Sequence, residues 1–431
     1  LFYRAEKEVN GHMSVTDVRH IRSRHEMVRY FDGYATDGME EREERRPQRP
    51  FVKTHLIELL GGSRVASVGD VQRVLGGSVT HLTAVDDGLY LVTNRVDGEA
   101  VGFVERLRPR ILAFYSALLS APLDKLVRHM VLSSAELDYV WLSGLTFRVL
   151  WDSVTRLSHP RRFSELVFTH DSIYDVDGGP CDLTDDENSI IEGIDGNDDS
   201  ETVVERRATR VKLVDRVGEI QRALESLQGS YPPFYAISRL RFPSSVGPGG
   251  HDFWDNGKVV NRSGSFRDHR SYVLYVTRIY EKLLQATEQR TWYSIEKRTD
   301  VAGAFRRIVG APLTVRFQDP LSPDVFDCWI ASTFRRKNNR FRLWGHPIRL
   351  GPTKVHVYGV DRHLWQPVFL ELTARGCTAI IPNGTCGNTV HRLVTNIQRY
   401  LDPGAEVFLG DQPYKDIVEA SSEGVYHDPE A

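Results

Sequence analysis

The chain has 431 residues, 41% hydrophobic and 26% charged, with a formal net charge of −3. That length accommodates two or three domains, and the near-neutral balance excludes a chain-wide attraction to polyanions. No apolar run approaches the roughly 18 residues of a membrane helix, so no membrane association is expected.

The four cysteines, Cys181, Cys328, Cys377 and Cys386, form no CxxC pair. This argues against a zinc ribbon or a disulfide framework and for a cytoplasmic, reducing compartment. Charge is unevenly placed. Residues 171–205 hold thirteen Asp or Glu and no Lys or Arg, whereas residues 328–360 hold seven Lys or Arg and no acid.

In chain order, residues 1–50 read as a basic and charged segment ending in the linker EEREERRPQRP. Residues 51–170 read as a mostly helical domain with a small β element around Leu89–Val92, between Asp86-Asp87-Gly88 and Asp97-Gly98. A helix is expected over 134–157, opened by the capping-box spacing of Ser133 and Glu136. Residues 171–208 read as an acidic loop or disordered insert. Asp195, Asn197 and Asp199 within it fail the calcium-loop pattern, because Ser200 and Arg206 occupy the glycine and glutamate positions.

Residues 209–350 read as a helix-hairpin-helix region followed by a basic β-hairpin. Asp255-Asn256-Gly257 is a hairpin turn signal, and Ser265 with Asp268 can start the following helix. The helices at 211–227 and 265–293 could pair two copies of the chain as a homodimer. In the basic segment, Arg335, Arg336, Lys337, Arg340 and Arg342 alternate with Phe341 and Trp344. A ribbon at 334–349 could thus set guanidiniums on phosphates and offer a ring for base stacking.

Residues 351–420 read as a C-terminal β-α-β-α-β unit with a small parallel sheet, its first helix over 367–374. The fold class expected is therefore mixed α and β, multidomain. It has a helical and small-sheet N-terminal part, a helix-hairpin-helix middle and this α/β unit. Asp361, the loop Gly384–Thr389 and Asp411 would then gather at the carboxyl edge of the sheet.

That loop, Gly384-Thr385-Cys386-Gly387-Asn388-Thr389, lies between an apolar run and a helix-like run. Such a junction aims backbone N–H groups and a helix dipole at an anion, so a phosphate-bearing small ligand fits it. Cys386 and Arg392 stand in C-x5-R spacing, which resembles the phosphate loop of cysteine-dependent phosphatases. The resemblance implies Cys386 as thiolate nucleophile, Arg392 as phosphate clamp, and Asp361 or Asp411 as the acid. Thr385 and Leu393 depart from that pattern. Glu371-Leu372-Thr373 after Asp361 resembles a nuclease E-x-K pattern, with Thr373 where lysine is required. His356, His363 and His391 show no zinc-ligand spacing, so no metal or cofactor is expected.

The leading reading is a binding or regulatory protein that engages nucleic acid or another anionic ligand through residues 334–349 and 384–389. A phosphoester hydrolase centred on Cys386 and Arg392 is the alternative, and a protein-interaction scaffold a further one.

Overall fold

The computed structural model describes residues 18–60, 71–76, 79–171, 208–227, 232–300, 303–334 and 340–428. Two large sheets organise them. The first runs in the order β2 (Thr80–Asp86), β3 (Leu89–Asn94), β4 (Ala100–Arg108), β5 (Ile111–Ser116), β1 (Lys53–Leu59), β11 (Lys258–Asn261), β10 (Gly250–Trp254), β9 (Ile237–Pro243), β7 (Phe163–Asp171) and β8 (Ala208–Arg216). The short β6 (Leu137–Tyr139) also pairs with β1. Strands β1 and β5 are buried along their whole length, because the sheet is covered on both faces there.

The second sheet runs β15 (Leu343–Gly351), β16 (Lys354–Asp361), β17 (Gln366–Thr373), β18 (Gly376–Pro382), β14 (Leu313–Arg316), β19 (Glu406–Leu409) and β20 (Gln412–Pro413). A ribbon of β12 (Trp292–Asp300) and β13 (Gly303–Val309) springs from it. In β16, Val355 and Val357 are buried while Lys354 and Tyr358 are exposed. That period-2 alternation covers one face and leaves the other in solvent.

Eight helices fill the spaces among the described residues: α1 (Arg24–Glu43), α2 (Ser120–Ser133), α3 (Gly144–Leu157), α4 (Val217–Leu227), α5 (Phe266–Thr291), α6 (Pro323–Phe334), α7 (Asn388–Tyr400) and α8 (Tyr414–Ser422). Helix α5 is the axle of the molecule. Ser265 caps it by accepting from the Asp268 N–H. Its 26 residues span about 39 Å. It touches β4, β10 and β11 of the first sheet and β18 and β19 of the second. Tyr272, Val276, Ile279, Tyr280, Leu283 and Leu284 are all buried on it. The segment weighed as a dimer helix therefore has its apolar positions enclosed within the chain.

The architecture corrects the expected fold class. The only parallel pairing among the described residues is the two-residue contact of β12 with β18. The small parallel sheet is replaced by an antiparallel one. Of residues 367–374, those up to Thr373 form strand rather than helix, because Val368, Leu370 and Leu372 alternate inward with Phe369 and Glu371 outward. The N-terminal part is dominated by sheet, with β4 and β5 over residues read as helical. The capping box at Ser133 does not form: Leu137–Tyr139 pairs with β1, and the helix begins at Gly144 with Ser143 as its cap. Residues 211–216 belong to β8. Phe334 ends α6 and Leu343 opens β15, whereas residues 335–339, which hold the turn expected at 337–339, lie outside the described residues. The acidic stretch from residue 172 to 207 lies outside the described residues.

Candidate functional site

The loop from β18 into α7 is enclosed by β1, α5 and the turn before β5. Gly384 takes φ +92°, a conformation glycine adopts without penalty. Gly387 sits at φ −60°, and a Cβ there would lie 2.8 Å from Glu288 Cγ, so close approach is what requires glycine at this position. The Gly387 N–H donates to Glu288 Oε1 at 3.0 Å and the Asn388 N–H to Cys386 Sγ at 3.3 Å. Thr385 Oγ1 donates to the Pro382 carbonyl at 2.8 Å, and Thr389 Oγ1 donates to Asp361. The helix N-terminus does attract negative charge, and the chain supplies it as Glu288.

Cys386 is buried in a charged pocket. Its Sγ lies 3.1 Å from both oxygens of Glu58, which β1 contributes. Arg110, at the turn before β5, donates to Glu58 at 2.6 Å, to Cys386 Sγ at 3.2 Å and to both Glu288 oxygens at 2.8 and 2.9 Å. Burial and the Glu58 carboxylate push the Cys386 thiol well above its ordinary value. Burial likewise raises Glu288, against the pull of Arg110.

Arg392 faces elsewhere. Its guanidinium donates to Asp361 at 2.6 Å, to Asp138 of β6 and to the Phe341 carbonyl at 2.9 Å. It is 0% exposed. Cys386 and Arg392 therefore serve different partners, and Asp361 serves Arg392. Asp411 is exposed in the turn between β19 and β20. This arrangement lends the hydrolase reading no geometric support.

The turn joining β16 to β17 adds a residue to the Cys386 pocket. Leu364 and Trp365 both take left-handed backbone, φ 65° and 54°, and the Leu364 N–H donates to the Ala135 carbonyl. This conformation seats His363 inward at 1% exposure, with its N–H donating to Asp361 at 2.9 Å. His363 Nε2 lies 3.7 Å from Glu58 Oε2, and neither ring nitrogen has a hydrogen-bond partner. Donor atoms of Glu58, His363 and Cys386 all lie within 4.8 Å of one another. Glu58, Arg110, Glu288 and Asp138 escaped the sequence reading. A glutamate inside the apolar strand KTHLIEL was the one local signal available.

Of the basic segment, Arg335, Arg336 and Lys337 lie outside the described residues. Arg342 points inward, donating to the Leu137 carbonyl at 2.8 Å and to Asp138 at 3.0 Å. Arg340 is buried, with its guanidinium 4.6 Å from the Tyr400 ring centre. Trp344 is exposed on the outer face of the second sheet.

That outer face is chemically unusual. The register aligns His346, Tyr358, Phe369 and Ile380 in one row across β15 to β18. Trp344 and Ile348 flank the row on β15. Tyr358 is 67% exposed, and its ring meets Phe369 edge-on at 5.5 Å. Glu371 on this face is engaged by Lys354 at 2.8 Å and His356 at 2.7 Å.

The β12–β13 ribbon extends the same face. Tyr293 stands beside Pro382, which shares its side of β18 with Ile380. Alternation then places Ile295 and Lys297 on that side, opposite Ile308 and Arg306. Ile295 and Ile308 are largely exposed. Among the described residues neither Lys297 nor Arg306 has an acidic partner, whereas Glu296 pairs with Arg298 on the reverse side.

A family profile described as MJECL33-like protein matches residues 251–415, which include α5, the ribbon and the second sheet. A curated relative, the uncharacterized protein MJECL33 of Methanocaldococcus jannaschii, is 36% identical over 78 residues. The match covers 18% of this chain and 19% of that protein's length. No solved structure matches the chain.

Proposed function

We propose that this chain is a nucleic-acid-binding protein that holds a single strand on the outer face of its second sheet and along the β12–β13 ribbon. The observation that carries this reading is the Lys297–Arg306 pair. Like charges directly opposite each other across a two-stranded ribbon repel and weaken it. An anionic partner laid along the ribbon relieves that cost. The adjoining row of Tyr358 and Phe369, with Trp344 beside it, supplies aromatic faces at the same surface. Bases stack on such faces at about 1–3 kcal/mol each, with little sequence preference. The partner class agrees with the sequence reading, but the residues differ, since Arg340 and Arg342 serve the interior.

Photo-crosslinking of a bromouracil-substituted oligonucleotide to the full chain tests the reading. Crosslinks should map to peptides holding Trp344, Tyr358 or Phe369, and Tyr358→Ala should remove most of them. Because Tyr358 is largely exposed, that variant should melt with the unmodified protein. Crosslinks confined to other surfaces would overturn the assignment, and a duplex that competes as well as a single strand would overturn the single-strand part.

A further inference from the structure

We propose that Glu58, His363 and Cys386 form a binding site for a transition-metal ion of the zinc class, locking the two sheets together. The three residues come from three places: β1 of the first sheet, the β16–β17 turn, and the loop into α7. All are nearly fully buried, with Glu58 at 0% and Cys386 and His363 at 1% exposure.

The first support is the unpartnered imidazole. Buried polar groups are normally hydrogen-bonded, and leaving one unsatisfied costs about 1–3 kcal/mol. Both His363 nitrogens lack a partner, and Nε2 is turned toward Glu58. A metal ion between them satisfies that nitrogen.

Spacing is the second. A tetrahedral zinc ion with bonds of about 2.0–2.3 Å sets its donors roughly 3.3–3.8 Å apart. The imidazole-to-carboxylate distance of 3.7 Å falls within that range, the sulfur-to-carboxylate distances of 3.1 Å lie just below it, and all three donors lie within 4.8 Å of one another. Thiolate, imidazole and carboxylate together select zinc-like ions over calcium or magnesium, which take oxygen ligands.

Charge is the third. Glu58, Glu288 and a Cys386 thiolate carry three negative charges, and Arg110 carries one positive. A divalent ion brings this pocket to neutrality. Binding exchanges a proton for a bond: the Cys386 S–H bond breaks, the sulfur's electron pair goes to the metal, and the proton leaves to solvent. Arg110 then holds the carboxylate ligand from outside, in the manner of residues that orient metal ligands.

The test uses the full chain purified without chelators. Incubation with Zn²⁺, followed by desalting and elemental analysis, should leave about one equivalent of zinc per chain. His363→Gln combined with Cys386→Ser should lower that occupancy at least tenfold. Because the double variant could fail to fold, Co²⁺ loading of the unmodified protein gives an independent reading. Cobalt bound through Cys386 produces a sulfur-to-metal charge-transfer band that Mg²⁺ does not displace. Less than a tenth of an equivalent of zinc together with no such band would overturn the proposal. So would zinc retained at full occupancy in a folded double variant.

Discussion

Glu58 and Cys386, 328 residues apart in the chain, meet with both carboxylate oxygens 3.1 Å from the sulfur. The contact marks the seam where the loop ahead of α7 enters the first sheet's territory. Beside it, Arg392 of α7 joins Asp138 of β6 to Asp361 of β16, with Arg342 sharing Asp138. The two sheets are thus held by buried ion pairs as well as by the apolar surface of α5.

Removing Arg392 should therefore cost far more than a surface substitution. Arg392→Met leaves Asp138 and Asp361 as buried carboxylates that have lost a shared partner. Breaking a buried pair in this way costs about 3–5 kcal/mol. Urea denaturation followed by tryptophan fluorescence should show that loss, and a change below about 1 kcal/mol would indicate that the seam is not structural.

Gly387→Ala should be destabilising by about 1–3 kcal/mol, through overpacking rather than backbone strain. The added methyl would meet Glu288 Cγ at 2.8 Å and the Leu284 carbonyl at 3.1 Å. At Gly384, where nothing lies within 4 Å, the cost of alanine arises from φ +92° instead. A crystal structure of the Gly387→Ala variant should show Glu288 displaced. An unshifted Glu288 with unchanged stability would contradict the packing account.

His391 makes stability depend on pH. Burial holds its pKa down to about 3, with the charge of Arg110 adding to the effect, and its Nδ1 lies 2.6 Å from the Tyr414 hydroxyl. In the unfolded chain the group titrates near 6.5. Between those values the unfolded chain binds a proton that the folded chain refuses. Stability therefore falls as pH drops from about 6.5 toward 3, by up to about 1.4 kcal/mol per pH unit from this residue. Denaturation midpoints measured between about pH 7 and pH 4 should decline more steeply for the unmodified protein than for His391→Gln, and equal slopes would refute the assignment.

What the sequence disclosed was local. Asp255-Asn256-Gly257 announces the β10–β11 hairpin because few residues tolerate the turn, and Gly257 takes φ +76° there. Ser265 and Asp268 announce the start of α5 for the same kind of reason. The strand at 366–373 was masked by Phe369, an outward-facing aromatic that hid the alternation of apolar and polar residues around Val368, Leu370 and Leu372. Parallel or antiparallel pairing depends on partners far away in the chain, and no local pattern records it. The Cys386 pocket was illegible for the same reason, since Glu58 and Arg110 reach it across the whole fold. Trp344 was legible as an exposed ring, but Lys297 and Arg306, the basic residues without an acidic partner on the same side, lie on the ribbon at 292–309, far from it in sequence.

The central claim, a single strand bound along the ribbon, is tested most directly by salt-dependent binding. Anisotropy of a labelled single-stranded oligonucleotide should report binding that weakens as salt rises. Each phosphate neutralised on a single strand contributes about 0.7 to the slope of log affinity against log salt. Lys297→Gln with Arg306→Gln should therefore weaken binding and flatten the slope by about 1.4, with thermal stability unchanged or slightly raised because their mutual repulsion is gone. Absence of salt-dependent binding by the unmodified protein, or an unchanged slope in the double variant, would contradict the account.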